Sequence, residues 1–193
     1  MTKRYYLSLM LAIVVARGRE PMEIVTEARL LILFIAVLSL VACVGWCLMT
    51  WVVRICPRAS RRFALANLLV LTGTLFLNAR SSELSFWFWF VADAAVLTGF
   101  FFSYVGLLKL FKLKWSTRSA QLSLGLALVL LLLINQASDS VWLARLVFSA
   151  AASILLAHAA WANYHAIKLE FSTGAALLVS SPFYVTSLFF LLR

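Results

Sequence analysis

Apolar runs of membrane length alternate with short charged segments along this 193-residue chain. The runs are about Leu30–Val53, Phe63–Asn78, Leu84–Leu108, Ala120–Gln136, Val141–Asn163 and Phe171–Leu192. About 20 mostly apolar residues are needed to cross a hydrocarbon core of about 30 Å. In lipid a segment must satisfy its backbone internally, which a helix does alone and a strand does only in a closed barrel. Barrel strands would show segments of about ten residues with alternating polarity, and no such alternation is present. The pattern predicts an all-α integral membrane fold: a bundle of six transmembrane helices forming one domain over residues 22–193.

Ahead of the first run, Lys3 and Arg4 precede a short apolar segment, Tyr5–Ala16. As a helix it would reach only about 18 Å, too short to span. Basic residues, a short apolar region and small residues have the form of a signal peptide. A start at Met22, just before the first full run, is the other reading. In both, residues 1–21 stand outside the mature bundle.

The charged segments orient the bundle. Arg54, Arg58, Arg61 and Arg62 follow the first run, and Lys109, Lys112, Lys114 and Arg118 follow the third, without an acidic residue in either group. Lys and Arg are enriched in cytoplasmic loops, so both connections are expected inside. The intervening loops, with Arg80 and Glu83 and with Asp139, are expected outside. The loop with Lys168 and Glu170 returns to the cytoplasm, and both the start of the first span and Arg193 fall outside.

Composition narrows the class. Hydrophobic residues are 64% of the chain and mean hydropathy is +1.00, whereas soluble domains are about 45–50% apolar. The net charge of +10 does not indicate nucleic acid, because the cations cluster where topology requires them and no soluble module carries them. Cys43, Cys47 and Cys56 imply no disulfide framework and read as small hydrophobes. Phe86-Trp87-Phe88-Trp89-Phe90 reads as an interfacial aromatic belt, with a ligand-stacking platform as the alternative. From Lys109 to Arg118, cations interleave with Leu110, Phe111, Leu113 and Trp115. Such a segment is expected to lie on the inner surface, drawn to anionic lipid.

Ionisable groups within spans are functional candidates by default. Asp93 stands about 13 Å into the third helix, and Arg145 opens the fifth, about 7 Å nearer the surface. A long arginine could bridge that step, so an Asp93–Arg145 ion pair is one expectation. Arg145 snorkelling to the interface is the other. His158 in the fifth span and Asn67 in the second lie at similar depth. One His and one Asn are too few for a metal site, and an interhelical hydrogen bond is the simpler role. His165 is expected in an exposed loop. Ser149, Ser153 and Ala157, and Gly99 with Gly106, are small residues at helical spacing, suited to close packing within the bundle or in a homodimer. Pro182 is expected to kink the sixth helix. No phosphate loop, zinc motif, nucleophile elbow or carboxylate pair occurs. No enzyme activity, metal or cofactor is therefore expected. No inverted internal repeat of the transporter kind is evident either.

Ala66-Asn67-Leu68-Leu69-Val70-Leu71-Thr72-Gly73, then Arg80, an aromatic helix start, Ala92-Asp93-Ala94-Ala95-Val96-Leu97-Thr98-Gly99 and a basic loop after Lys109 form one series. Asp139 and Arg145 add an acidic loop and an Arg opening the next helix. Over roughly residues 23–193 the chain resembles the N-terminal membrane sensor of bacterial diguanylate cyclases, where a polytopic bundle precedes a cytoplasmic GGDEF domain. That family often carries Asn where this chain has Asp93. There is no GGDEF sequence here, so none of the family's catalytic residues has a counterpart. The resemblance implies an inner-membrane sensor bundle that acts through a partner, or a truncated member. A small transporter or channel subunit and a membrane scaffold subunit are the rival expectations.

Overall fold

The computed structural model describes residues 21–54, 56–78, 86–137 and 141–192. The leader-like segment, Arg80, Glu83, Asp139 and Arg193 lie outside them. The described residues form six α-helices, with no strand: α1 (Pro21–Leu48), α2 (Pro57–Asn78), α3 (Phe86–Leu110), α4 (Arg118–Ala137), α5 (Val141–Glu170) and α6 (Thr173–Leu192). A π-helical turn, Met49–Val53, extends α1. Four helical segments are long and apolar enough to cross a membrane: Ile32–Val53, Trp87–Leu110, Trp142–Glu170 and Thr173–Leu192. The apolar part of α4, Arg118–Ile134, is shorter, and α2 carries Arg58, Arg61 and Arg62 in its first turns.

Three helices run well beyond their expected limits, and the first of them, α1, begins at Pro21, nine residues ahead of Leu30. α2 begins at Pro57 rather than Phe63, because proline suits the first helical position, where its missing N–H has no partner to lose. The Cys56 carbonyl accepts the N–H groups of Ala59 and Ser60 and so starts the helix. α5 continues past Asn163 to Glu170, since a charged end in water need not stop being helical. His165, expected in a loop, is therefore half-buried on α5. α6 is capped by Ser172, whose Oγ accepts the Ala175 N–H at 3.3 Å.

Consecutive helices pack antiparallel, and α3 also meets α5. α3 and α5 form the centre, with 56% and 44% of their apolar windows buried. α1 touches α2 and its own π-turn, and α6 leans on α5; only 11% and 17% of their windows are buried. The core gathers Leu97, Leu131 and Leu155 with alanines such as Ala152, Ala159 and Ala162. Trp46 stacks on Phe63 at 4.5 Å, and Phe190 of α6 reaches both Phe100 and Phe148.

α2 and α3 make the closest approach. A Cβ on Gly73 would lie 2.8 Å from the Ala92 carbonyl oxygen and 2.6 Å from Val96 Cγ2. One on Gly99 would lie 2.9 Å from the Ala66 carbonyl oxygen and 2.8 Å from Val70 Cγ2. These contacts are reciprocal because Ala66, Val70, Leu71, Thr72 and Gly73 recur as Ala92, Val96, Leu97, Thr98 and Gly99. A short repeat thus packs against its own inverted copy. It is confined to one helix pair. Gly106, a turn or two further along α3, lies over the Phe63 ring.

Pro182 does not end α6. Its ring lacks the N–H that would have bonded the Leu178 carbonyl. The Ser181 hydroxyl donates to that carbonyl instead, at 2.7 Å. Serine before proline thereby satisfies a backbone carbonyl that the proline ring leaves without its helical donor.

Candidate functional site: buried polar contacts and a basic cleft

Several hydroxyls in the bundle bond their own helix four residues back, as Thr72 does to Leu68 and Thr74 to Val70. Asn67 does the same, its Nδ2 donating to the Phe63 carbonyl at 2.8 Å. His158 is different. Its Nδ1 lies 2.8 Å from the Ile154 carbonyl oxygen. A carbonyl only accepts, so Nδ1 carries a proton. In neutral imidazole Nε2 is then the acceptor, and Ser119 Oγ of α4 donates to it at 3.2 Å. Tyr104 of α3 meets the ring edge-on, 5.7 Å between centroids. His158 therefore ties three helices together. His158 and Asn67 use separate partners, and the described residues hold no group of three or more His, Cys, Asp or Glu able to bind a metal.

Asp93 is half-buried and Arg145 is exposed. Because α3 and α5 run parallel and Tyr104 faces His158, the positions eleven earlier, Asp93 and Val147, stand at one level. Arg145 lies two residues further out, a step of about 3 Å. Depth suits a pair better than the sequence indicated. Direction suits it less, since two residues turn a helix by roughly 200°.

α5 and α6 are joined by polar contacts that the apolar pattern did not single out. Ser187 Oγ donates to the Ser153 carbonyl at 2.9 Å, so the Ser153 hydroxyl is the donor in its 3.1 Å contact with Ser187 Oγ. Nearer the other end, Asn163 Nδ2 donates to Ser180 Oγ at 3.3 Å and the Val179 carbonyl at 3.4 Å. Ser153 of the small-residue series is buried here, whereas Ala157 is exposed.

The basic end holds the largest departures from regular structure. Arg54, Cys56 and Lys112 have φ of 56°, 44° and 54°, a left-handed conformation that ordinarily selects glycine. Arg54 closes the π-turn. Lys112 closes α3 in a Schellman arrangement, with the Leu113 N–H on the Leu108 carbonyl at 2.9 Å. Between these turns is a cleft of about 660 Å³, lined by Cys56, Arg58, Lys109, Lys112, Lys114 and Trp115 among others. An adjoining hollow holds Arg54 and Arg61. Beside it His165 is packed by Trp115, Trp161 and Tyr164, with centroids 5.5, 4.5 and 5.7 Å away. Lys168 Nζ stands 5.6 Å over the Tyr164 ring.

No family model, no curated protein and no solved structure matches the chain.

Proposed function

We propose that the chain is a non-catalytic, multi-pass protein of the bacterial inner membrane, a six-span bundle with the start of α1 outside. It works as a sensor-type bundle of the kind found before diguanylate cyclase domains, passing helix rearrangements to a partner. The observation that carries the membrane part is the outer surface. Large apolar side chains stand exposed on every long helix, among them Trp51 at 77%, Leu122 at 73%, Trp142 at 70% and Leu178 at 75%, while the Ser153, Ser187, Asn163 and Ser180 polar groups pair inward. Lipid solvates such a surface; water does not. The sensor part draws on the Ala66–Gly73 and Ala92–Gly99 segments that carry the resemblance.

Cys56 tests the orientation, being exposed at the basic end. A membrane-impermeant maleimide should label it in inside-out vesicles and not in right-side-out ones. Labelling from the outer face would reverse the topology. The signalling part is tested by the cellular cyclic di-GMP level on deletion and overexpression. A level indifferent to both removes the cyclase-type reading and leaves the transporter or scaffold readings.

A further inference from the structure

We propose that the cleft at the basic end binds a terminal phosphate group, a phosphomonoester dianion, through Arg58, Lys109, Lys112 and Lys114. The proposal rests on the membrane reading for the surroundings of that end, and the chemistry of the cleft stands on its own residues. The four cations come from two turns remote in sequence, and among the described residues no acidic side chain lines either the cleft or the hollow beside it. Like charges drawn together repel, and an anion between them reverses the sign. The first turn of α2, Pro57 to Ala59, also lines the cleft, and a helix N-terminus favours negative charge.

The backbone gives the second, independent observation. Lys112 and Cys56 both line the cleft and both hold left-handed φ. At a helix C-terminus of this geometry glycine is the least costly residue. The chain instead places a lysine there, and the same holds for Arg54 at the end of the π-turn. Non-glycine residues in this region are sterically strained, and such strain clusters at ligand sites. A lysine at this position supplies an ammonium that glycine cannot. Leu108, Leu113 and Trp115 form the apolar part of the lining, which suits a phosphate attached to an apolar body. A phosphomonoester offers three terminal oxygens and close to two charges at neutral pH, more than the single charge of a diester.

The phosphate has two sources, a lipid headgroup and a soluble phosphate, and one experiment separates them. The full chain is reconstituted in phosphatidylcholine nanodiscs, alone, with a minority of phosphatidic acid, or with phosphatidylglycerol matched for surface charge. The rate of alkylation of Cys56 by an uncharged maleimide is read at peptide level, which excludes Cys43 and Cys47. Phosphatidic acid should slow the labelling, and phosphatidylglycerol should do so much less. Arg58→Gln and Lys112→Gly should each weaken the protection about fivefold, as expected for about 1 kcal/mol per basic residue. Lys112→Gly relieves the left-handed strain, so it separates lost binding from lost folding. Lys168→Gln removes the same charge outside the cleft and should leave the protection unchanged.

Protection in phosphatidylcholine discs by inorganic phosphate alone assigns the soluble source; protection requiring phosphatidic acid assigns the lipid. Absence of protection by either probe overturns the proposal. Equal protection by phosphatidylglycerol, or equal weakening by Lys168→Gln, also overturns it in favour of a diffuse surface charge. Extraction of the chain from native membranes by alkaline carbonate would overturn the membrane reading separately, and the inorganic-phosphate arm can be run in detergent.

Discussion

Gly73 and Gly99 occupy equivalent places on facing sides of one antiparallel helix pair, each against the backbone carbonyl of the alanine that opens the other's repeat. Glycine within a helix is ordinarily worse than alanine by about 1 kcal/mol. Here the sign should invert. A methyl group would sit within 3 Å of a carbonyl oxygen at either position, and a backbone atom cannot swing aside. Gly73→Ala and Gly99→Ala should each destabilise the bundle by about 1–3 kcal/mol. Gly125→Ala, with nothing within 4 Å of the added carbon, should stabilise it slightly. Thermal unfolding in one detergent compares all three. A stabilised Gly99→Ala would mean that α2 and α3 stand further apart.

Serine at 181 is expected to matter because of its neighbour. With Pro182 giving no N–H, the Leu178 carbonyl has the Ser181 hydroxyl as its donor. Ser181→Ala should cost about 1–3 kcal/mol, the usual penalty for an orphaned polar group. In a Pro182→Ala background the backbone N–H returns, and Ser181→Ala should then be nearly silent. That non-additivity, read in a double-mutant cycle, identifies the cause; equal effects in both backgrounds would rule it out.

Such devices mark where sequence reading stops. The six helices were legible because each apolar run must bury or solvate its side chains in one way. Hydrophobicity alone does not mark the starts of α1 and α2, where a helix runs through polar residues ahead of its apolar stretch, although proline at a first helical position is itself a start signal. Nor does it mark the end of α5, because Lys168 and Glu170 stay helical beyond the apolar run. The repeated Ala-x-x-x-Val-Leu-Thr-Gly string was readable as text. Its reciprocal contact needs the antiparallel register, which no string contains. The partner of His158 is Ser119, 39 residues away, and spacing could not name it. The left-handed Lys112 carries no glycine to announce it.

His158 and Ser119 should couple. Interhelical hydrogen bonds in membranes average about 0.6 kcal/mol and reach about 1.7. His158→Ala and Ser119→Ala are expected to be less than additive by about that amount, measured by unfolding in detergent. His158→Gln should keep less than half of the coupling, because one amide must replace two ring nitrogens whose partners, Ile154 and Ser119, lie on different helices. Full additivity would separate the two residues.

Asp93 and Arg145 are expected to act separately. Their levels match to about one helical rise or two, but Arg145 is exposed, so its guanidinium can reach the interface instead. Arg145→Ala should change stability by less than about 0.5 kcal/mol, and its effect should be the same with Asp93 or Asn at 93. A coupling above about 1 kcal/mol in that cycle would establish the ion pair and place a salt bridge across α3 and α5.

The left-handed cations make the last case. Lys112 ends α3 with φ of 54° and Arg54 ends the π-turn with φ of 56°. Glycine would remove the steric penalty of order 1–2 kcal/mol while adding roughly 0.5–1 kcal/mol of backbone entropy to lose on folding. Lys112→Gly and Arg54→Gly should therefore leave stability unchanged or raise it by up to about 1 kcal/mol. Lys112→Val should lower it, because a β-branched residue is a poor fit to positive φ. Lys168→Gly, inside the last turns of α5, should cost up to about 1 kcal/mol and serves as the helical reference. If glycine at 112 destabilised as it does at 168, the lysine would be holding the turn through its side chain, and its presence there would need no ligand to account for it.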